Sequence, residues 1–337
     1  MTDYGVPDHY RAWCWEQGTS ALDLVLKNVA RPVLQPDEVL VRNHIAGLNP
    51  VDWKALGARL APWTPGRVPG VDGVGVVVAT GRDIGDDWVG RRVAYHQSLM
   101  RPGSFAEYTP VRFRALINIP RTLDFEAAAS VPCPALTAWL ALSKLPSRAG
   151  ATLLVAGAGG GVGNYLVQLA VDRGFAVTAM CNQRHWARLR AMGVQDCVAG
   201  PLKASEALPD TLKNRFHAVI DCVSTDHAGA MAPALKANGH IVCIQNRLTE
   251  WPDPPFTRCI SVHEVALGAL HDYGDDDDWH DLTTAGHRIL ACLAEQTLFP
   301  EETVIRDFAD LPTFLNDLEH RQFSGKALIR VTSVEEA

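Results

Sequence analysis

The chain has 337 residues, of which 47% are hydrophobic and 20% charged, and its formal net charge at pH 7 is −7. This length predicts two domains, and the acidic balance gives no support for nucleic acid or an anionic membrane as a partner. No apolar run approaches the ~18 residues that a membrane span needs. The eight cysteines are scattered without a C-x-x-C pair, which predicts reduced thiols and a cytoplasmic location.

The first part of the chain contains short runs of β-branched and aromatic residues, separated by Gly, Pro and Asp clusters. This pattern predicts a β-rich domain over residues 1–135. The first long helical period comes at 123–142, where Pro132 and Pro134 interrupt it. These prolines are expected either to divide the segment into two helices or to form a hinge between domains.

A glycine-rich turn follows the apolar run 153–156 and precedes apolar residues at helical spacing up to Ala170. A buried strand that passes through glycines into a helix N-terminus forms an anion site, because the bare backbone and the first helical N–H groups approach a pyrophosphate closely. The alternative is an ordinary tight turn. The predicted nucleotide contacts in this loop are Gly157, Gly159, Gly160, Gly161, Val162 and Gly163.

Strands and helices alternate after the glycine turn. Strands are predicted at 176–181, 217–224 and 240–246, and a helix is predicted over 228–239, ending at Gly239. Alternating βα units of this length predict a doubly wound parallel sheet with helices on both faces. The predicted nucleotide domain spans 136–270.

The end of the second strand of this domain predicts the choice of dinucleotide. NAD-specific folds place an acidic residue there for the ribose 2′-hydroxyl, but this strand ends at Asn182 without a carboxylate. Arg184, His185 and Arg188 follow at once, and such a cluster can pair with a 2′-phosphate. The sequence therefore predicts NADP(H), with Asn182 and these three basic residues as contacts.

The last segment, 271–337, begins with an acidic loop that contains the aspartates 275–278. A solvated turn or a helix N-cap region is favoured over a metal site there. A helix is predicted at 281–296, and the tail from 303 onward is predicted as strand, helix and strand. The final strand is expected to return to the N-terminal β-rich domain.

Several phrases, in this order along the chain, resemble the medium-chain dehydrogenase/reductase superfamily, most closely its zinc-independent quinone oxidoreductase-like branch. The phrases are IAGLNPVDWK (45–54), PGVDGVGVVVATG (69–81), RRVAYHQS (91–98), GSFAEY (103–108), AAASVPCPALTAW (127–139), GAGGGVGNYLVQLA (157–170) and SGKALIRV (324–331). The resemblance implies a GroES-like catalytic domain beside a Rossmann domain, NADP(H), a small-molecule substrate and a homodimer or homotetramer.

The resemblance also bears on metal binding. Zinc-dependent members carry a Cys where this chain has Asn49, a Gly-His-Glu where it has 70–72, and a second Cys at about Cys133. Because Cys133 alone retains a ligand type, and catalytic zinc needs three protein ligands, no catalytic metal is expected. Cys133 is expected to act as a small apolar residue.

The predicted catalytic residues are Asn49, Tyr95 and His96. Asn49 and Asp52 resemble the N-x-x-D of quinone oxidoreductases that faces the nicotinamide, although turn and N-cap chemistry explains the same pattern. His96 ends a strand beside Tyr95, and its ordinary pKa near neutrality suits proton donation; the alternative is a satisfied or exposed loop histidine. The remaining predicted cofactor contacts are Asn49, Thr137, Cys222, Gln245 and Lys326. For Thr137, an ordinary helix position without a cofactor contact explains the sequence equally well.

These features predict an NADPH-dependent oxidoreductase that transfers hydride to a quinone or an α,β-unsaturated carbonyl without zinc. A conjugated acceptor delocalises the incoming charge, whereas an isolated carbonyl needs stronger stabilisation. The alternatives are a non-catalytic NADP(H)-binding or scaffold protein of the same fold, and a zinc-free alcohol or aldehyde reductase.

Overall fold

A computed structural model describes residues 5–204 and 206–332. These residues form two compact units. Unit 1 joins the described residues up to Cys133 with those from Gly268 onward, and unit 2 runs from Pro134 to Leu267. No helix within the described ranges is both long and apolar enough to cross a bilayer.

The β-strands of the described residues are β1 (His9–Cys14), β2 (Val25–Ala30), β3 (Glu38–Gly47), β4 (Asp72–Thr80), β5 (Arg92–His96), β6 (Tyr108–Arg112), β7 (Leu116–Asn118), β8 (Thr152–Ala156), β9 (Ala176–Cys181), β10 (Asp196–Ala199), β11 (Phe216–Asp221), β12 (Leu235–Cys243), β13 (Ser261–Glu264), β14 (Thr303–Asp307) and β15 (Lys326–Arg330). The α-helices are α1 (Pro50–Ala55), α2 (Phe125–Ala129), α3 (Pro132–Ser143), α4 (Gly161–Asp172), α5 (Trp186–Ala191), α6 (Thr225–Met231), α7 (Ala269–Tyr273), α8 (Asp276–Ala294) and α9 (Leu311–Glu319).

Unit 1 is built on a mixed seven-stranded sheet in the order β14–β15–β3–β4–β5–β7, with β6 also paired to β3. The predicted return of the last strand is confirmed, since β15 pairs antiparallel with β3. Strands β3 and β4 form the longest pair, and their register places Gly47 opposite Asp72. This register brings the turn after β3 to the beginning of β4, where the polar residues of unit 1 meet.

Unit 2 contains a six-stranded sheet in the order β10–β9–β8–β11–β12–β13, and all of its pairs are parallel. The predicted doubly wound sheet is confirmed. Strand β8 is buried on both faces, as its apolar run predicts. The strand order reverses between β8 and β11, and ligands of such sheets bind at the carboxyl ends of the strands beside this reversal.

The main local difference from the sequence prediction concerns one helix of unit 2. The helix predicted to end at Gly239 stops at Met231, and a strand begins at Leu235. The helical prediction for 235–239 is wrong because Pro233 cannot donate a helical hydrogen bond, and Leu235 pairs with Phe216 of β11.

Three other local predictions are confirmed. The prolines of segment 123–142 divide it into two helices, α2 and α3. Asp275 caps α8 and accepts the N–H of Asp278 at 2.9 Å, so the acidic loop is an N-cap region. The tail forms the predicted strand, helix and strand.

Candidate functional site

A buried polar cluster, called the unit 1 cluster below, is formed by Asn49, Asp72 and Lys326. These residues come from three distant parts of the chain. The Nδ2 of Asn49 donates to Oδ2 of Asp72 at 2.8 Å. The ammonium of Lys326 donates to Oδ1 of Asn49 at 2.7 Å and lies 3.3 Å from Oδ2 of Asp72. The Lys326 and Asp72 side chains are 6% and 0% exposed. The amide of Asn49 thus bridges the two members of a buried ion pair.

Gly47, at the end of β3, leaves room for the ammonium of Lys326. A Cβ at Gly47 would lie 3.2 Å from Lys326 Nζ and 3.1 Å from the Cβ of Asp72, so a side chain there would crowd the ion pair. Lys326 also donates to the carbonyl of Leu48 at 3.2 Å. All three N–H groups of the ammonium are therefore bonded, as a buried charge requires.

Asp52 supports the turn from β3 into α1. Its carboxylate accepts the backbone N–H of Asn49 at 2.7 Å and that of Val71 at 3.1 Å. Burial, followed by the negative charge of Asp72, raises the pKa of Asp52 to about 7. These contacts support the turn-chemistry reading of Asp52, and the same turn holds Asn49 in place.

His96 lies at the end of β5, buried, with its Nδ1 3.1 Å from Nε2 of His271. Burial, followed by the positive charge of Lys326, lowers the pKa of His96 to about 4. The expectation that His96 titrates near neutrality is therefore wrong. At pH 7 its imidazole is neutral, so it can donate a hydrogen bond but holds no surplus proton.

Tyr95 points away from this cluster. Successive side chains of a strand face opposite sides of a sheet, and Tyr95 is fully buried with its hydroxyl donating to Oδ1 of Asn43 at 2.7 Å. Burial also raises the pKa of the phenol. The structure thus corrects the prediction of a catalytic Tyr95, because its hydroxyl is already used inside the core.

Asp72, His96 and Cys133 each place one potential ligand atom within 4.8 Å of the others. The expectation that Cys133 alone retains a ligand type is therefore corrected, because Asp72 and His96 provide two more ligand atoms beside it. The set nevertheless suits a divalent metal poorly, because Asp72 already pairs with the Lys326 ammonium. A metal ion on that carboxylate would lie beside a buried positive charge. The cation that this cluster fits is the side chain of Lys326.

In unit 2 the predicted glycine loop connects β8 to α4. Gly157 adopts a φ of +77° that favours glycine, and Gly160 is the N-cap of α4, without a side-chain capping bond. A Cβ at Gly163 would lie 2.6 Å from the carbonyl oxygen of Gly157, so only glycine permits this close packing. The first N–H groups of α4 have no helical partners, and a Cβ at Gly160 would meet only the carbonyl oxygen of Gly157, at 3.8 Å. This arrangement fits a pyrophosphate.

The basic residues predicted from the sequence lie beside this loop. Arg188 donates to Oδ1 of Asn164 at 2.6 Å and to the carbonyl of Gly159 at 3.3 Å. The Nε of Arg184 donates to Nε2 of His185 at 3.1 Å, and a Cβ at Gly159 would lie 2.4 Å from the His185 ring. Burial, followed by the two arginines, lowers the pKa of His185. This positive group suits a phosphate dianion.

Three further predicted contacts belong to unit 2. Asn182 follows β9 and its side chain accepts the N–H of Arg184 at 3.0 Å. Cys222 follows β11 and Gln245 follows β12, so all three lie past carboxyl ends of parallel strands, the edge at which such sheets bind ligands. Thr137 is buried on α3.

Residues 35–121 match the alcohol dehydrogenase GroES-like domain. Over 285 residues the chain is 31% identical to the 2-methylene-furan-3-one reductase of Solanum lycopersicum, an alignment that covers 81% of this chain and 71% of that protein. The chain belongs to the medium-chain dehydrogenase/reductase superfamily. Within it, the chain is a member of the quinone oxidoreductase-like branch.

Other members of this superfamily agree with the assignment. The chain is 30% identical over 283 residues to the chloroplastic NADPH-dependent alkenal/one oxidoreductase of Arabidopsis thaliana, covering 80% of this chain and 71% of that protein. The solved quinone oxidoreductase of Coxiella burnetii superposes with a TM-score of 0.78 at 24% identity, over 96% of this chain and 100% of that one. The last comparison bears on the fold.

Asp72 and His271 were not predicted from the sequence as residues of the site. Asp72 was considered only as a position where a zinc ligand is replaced. An acidic residue at the start of the apolar strand β4 nevertheless indicates a buried carboxylate, which requires a polar or charged partner. His271 carries no local signal, because its contact with His96 spans 175 positions.

Proposed function

We propose that this chain is an NADPH-dependent oxidoreductase that reduces a quinone or an α,β-unsaturated carbonyl. The observation that carries the proposal is the uncapped glycine turn of unit 2 with Arg184, His185 and Arg188 beside it. Two relatives are named for reduction of a methylene-furanone and of alkenals or enones, one of them with NADPH.

The residues of unit 2 fit NADP(H). The glycine loop offers backbone N–H groups to the pyrophosphate, and the guanidinium groups of Arg184 and Arg188 offer charge-assisted hydrogen bonds to a 2′-phosphate. His185, whose pKa is lowered, offers a neutral N–H. Asn182 stands where NAD-specific folds place an acid, so no carboxylate repels that phosphate. When bound, NADPH supplies the hydride and is oxidised to NADP⁺. Thr137, Cys222 and Gln245 remain proposed contacts.

The unit 1 cluster supplies orientation and hydrogen bonds. Reduction of an enone breaks the C=C π bond and adds a hydride at the β carbon, which places negative charge on the carbonyl oxygen. A proton is then added at the α carbon. Asn49 and neutral His96 are the proposed donors to that oxygen. One N–H of Asn49 reaches the carbonyl of Gly47 only at 3.4 Å, so it is available for a substrate. Since His96 is neutral, solvent is the proposed source of the proton.

The proposal predicts that conjugation in the substrate governs the rate. With NADPH, kcat/KM for a 2-enal should exceed that of the saturated alkanal of equal length by about 100-fold or more, since a conjugated acceptor needs less help from the protein. NADH under the same conditions should give lower values. The measurement is NADPH oxidation with product analysis for C=C reduction.

Each contrary result of this comparison supports a stated alternative. A faster alkanal without C=C reduction would indicate a zinc-free alcohol or aldehyde reductase. NADPH binding without turnover of any quinone, enal or enone would indicate a non-catalytic or scaffold protein.

We also propose that no metal takes part in this reaction, since Lys326 provides the cation of the cluster. Activity is expected to survive exhaustive chelation, and added Zn²⁺ should not raise it. The check is a rate measurement paired with elemental analysis of the purified protein. Stoichiometric zinc that is lost together with activity would contradict this proposal.

The location and assembly of the protein stay predictions. The cytoplasm is proposed from the scattered spacing of the eight cysteines, which contain no C-x-x-C pair, while several relatives are named for the chloroplast. A homodimer or homotetramer is proposed on the family resemblance, with a small molecule as the substrate.

A further inference from the structure

His96 and His271 form a buried pair in unit 1 whose geometry is fixed from both sides. Their rings lie 27° from parallel with centroids 5.3 Å apart, and Nδ1 of His96 is 3.1 Å from Nε2 of His271. The ring of His271 also packs against the ring of Trp279, and the two ring centroids are 4.8 Å apart. Trp279 is itself held by a 3.0 Å hydrogen bond to the carbonyl of Leu270.

The two rings share one hydrogen between their facing nitrogens. Burial lowers the pKa of each imidazole, so both rings are neutral at pH 7 and each carries a single N–H. One facing nitrogen is therefore the donor and the other the acceptor. The direction of this bond fixes which nitrogen of His96 is protonated.

The surroundings of the remaining nitrogen decide the direction. Because Nδ1 faces His271, Nε2 is the nitrogen of His96 available to the unit 1 cluster. The Lys326 ammonium has no N–H left to offer it, since its three bonds go to Leu48, Asn49 and Asp72. The backbone N–H of Cys133 interacts with the Asp72 carboxylate, but the buried Oδ1 of Asp72 makes no hydrogen bond of full geometry among the described residues. This acceptor oxygen belongs to a carboxylate that lies within 4.8 Å of His96, so a proton on Nε2 is favoured there over a second lone pair. The two side chains form no hydrogen bond with each other, so the N–H stays available to a substrate oxygen.

We propose that His271 is a positioning residue for the reaction: its Nε2–H donates to Nδ1 of His96 and holds His96 in the tautomer with the proton on Nε2. This inference rests on the proposed function. In that tautomer His96 presents a fixed, neutral N–H to the oxygen that gains negative charge during reduction. A neutral imidazole stabilises such an oxygen without giving up its proton.

The tautomer is measurable by ¹⁵N NMR of histidine-labelled protein, and the fold supplies two internal references. His217 accepts the N–H of Thr152 on Nδ1 at 3.1 Å, so its proton is on Nε2. His227 accepts the N–H of Leu202 on Nε2 at 3.1 Å, so its proton is on Nδ1. The His96 signals, assigned with His96→Gln, should match the pattern of His217. A match to His227 would overturn the proposal.

Two substitutions at His271 separate positioning from packing. His271→Gln retains an N–H donor, so the tautomer of His96 and kcat should stay within about threefold of wild type. His271→Leu removes the donor, so the tautomers should mix and kcat for a 2-enal should fall by about 10- to 100-fold, the effect of losing one oriented donor. KM for NADPH should not change in either variant.

The outcomes distinguish this inference from the proposed function. An unchanged kcat in His271→Leu, or an equal loss in both variants, would contradict the positioning role. If no conjugated acceptor is reduced at all, the proposed function fails, and the ¹⁵N pattern of His96 still decides the direction of the bond.

Discussion

Gly160→Val is expected to abolish NADPH binding, with a loss of affinity of about 100-fold or more, or about 3 kcal/mol. Gly160 is the N-cap of α4 and its φ of −91° is open to any residue. A Cβ there lies no closer than 3.8 Å to protein atoms outside its immediate neighbours. The new side chain therefore fits the fold but fills the space through which a pyrophosphate must approach the helix. The measurement is titration of intrinsic fluorescence with NADPH.

This variant is the sharpest test of the glycine loop because the fold should survive it. At Gly163 a Cβ would lie 2.6 Å from backbone atoms of Gly157 and Ala158, so a change there would disturb packing as well as binding. Gly229→Val is a matched control on α6 of the same unit, since a Cβ at Gly229 also has no contact nearer than 3.8 Å. Undiminished NADPH binding by Gly160→Val would refute this site.

Lys326→Met is expected to destabilise the protein by about 3–5 kcal/mol, the usual consequence of leaving a buried charge without its partner. The substitution removes all three bonds of the ammonium and leaves Asp72 without a charged partner, although the amide of Asn49 still donates to it. Guanidinium unfolding followed by tryptophan fluorescence measures the loss.

The pH dependence of this loss has a defined sign. A carboxyl whose pKa is higher in the folded than in the unfolded chain contributes stability at pH values below its unfolded pKa, which is about 4. This contribution is lost as the pH rises through the folded pKa. For Asp52 the folded pKa is about 7, and removing Lys326 leaves the cluster without its cation. The variant should therefore lose more stability at pH 8 than at pH 5.

Two further proteins check the cause of the instability. The double substitution Asp72→Asn with Lys326→Met removes both charges and should recover at least half of the loss. Lys27→Met breaks an exposed ion pair with Glu16 and should have a much smaller effect, because solvent screens such pairs. If the double variant is no more stable than Lys326→Met, the unpaired carboxylate is not the cause.

The sequence by itself determined the fold class and predicted where the nucleotide binds. The apolar run of β8, the glycines after it and the helical spacing of α4 lie within 19 residues (152–170), and local patterning encodes such a unit. Arg184, His185 and Arg188 also fall within a few positions of the strand end that they flank. The prediction over 235–239 failed because pairing with β11 overrides local helix propensity.

Only the tertiary structure decided the chemistry of unit 1. The bond between Lys326 and Asn49 spans 277 positions and that between His96 and His271 spans 175, so no local pattern encodes either contact. The same burial that assembles the cluster moves the pKa of His96 down to about 4 and that of Asp52 up to about 7. It also places Tyr95 in the core and His96 beside Asp72. Residue types suggested candidates, but desolvation and long-range pairing set their protonation states and partners.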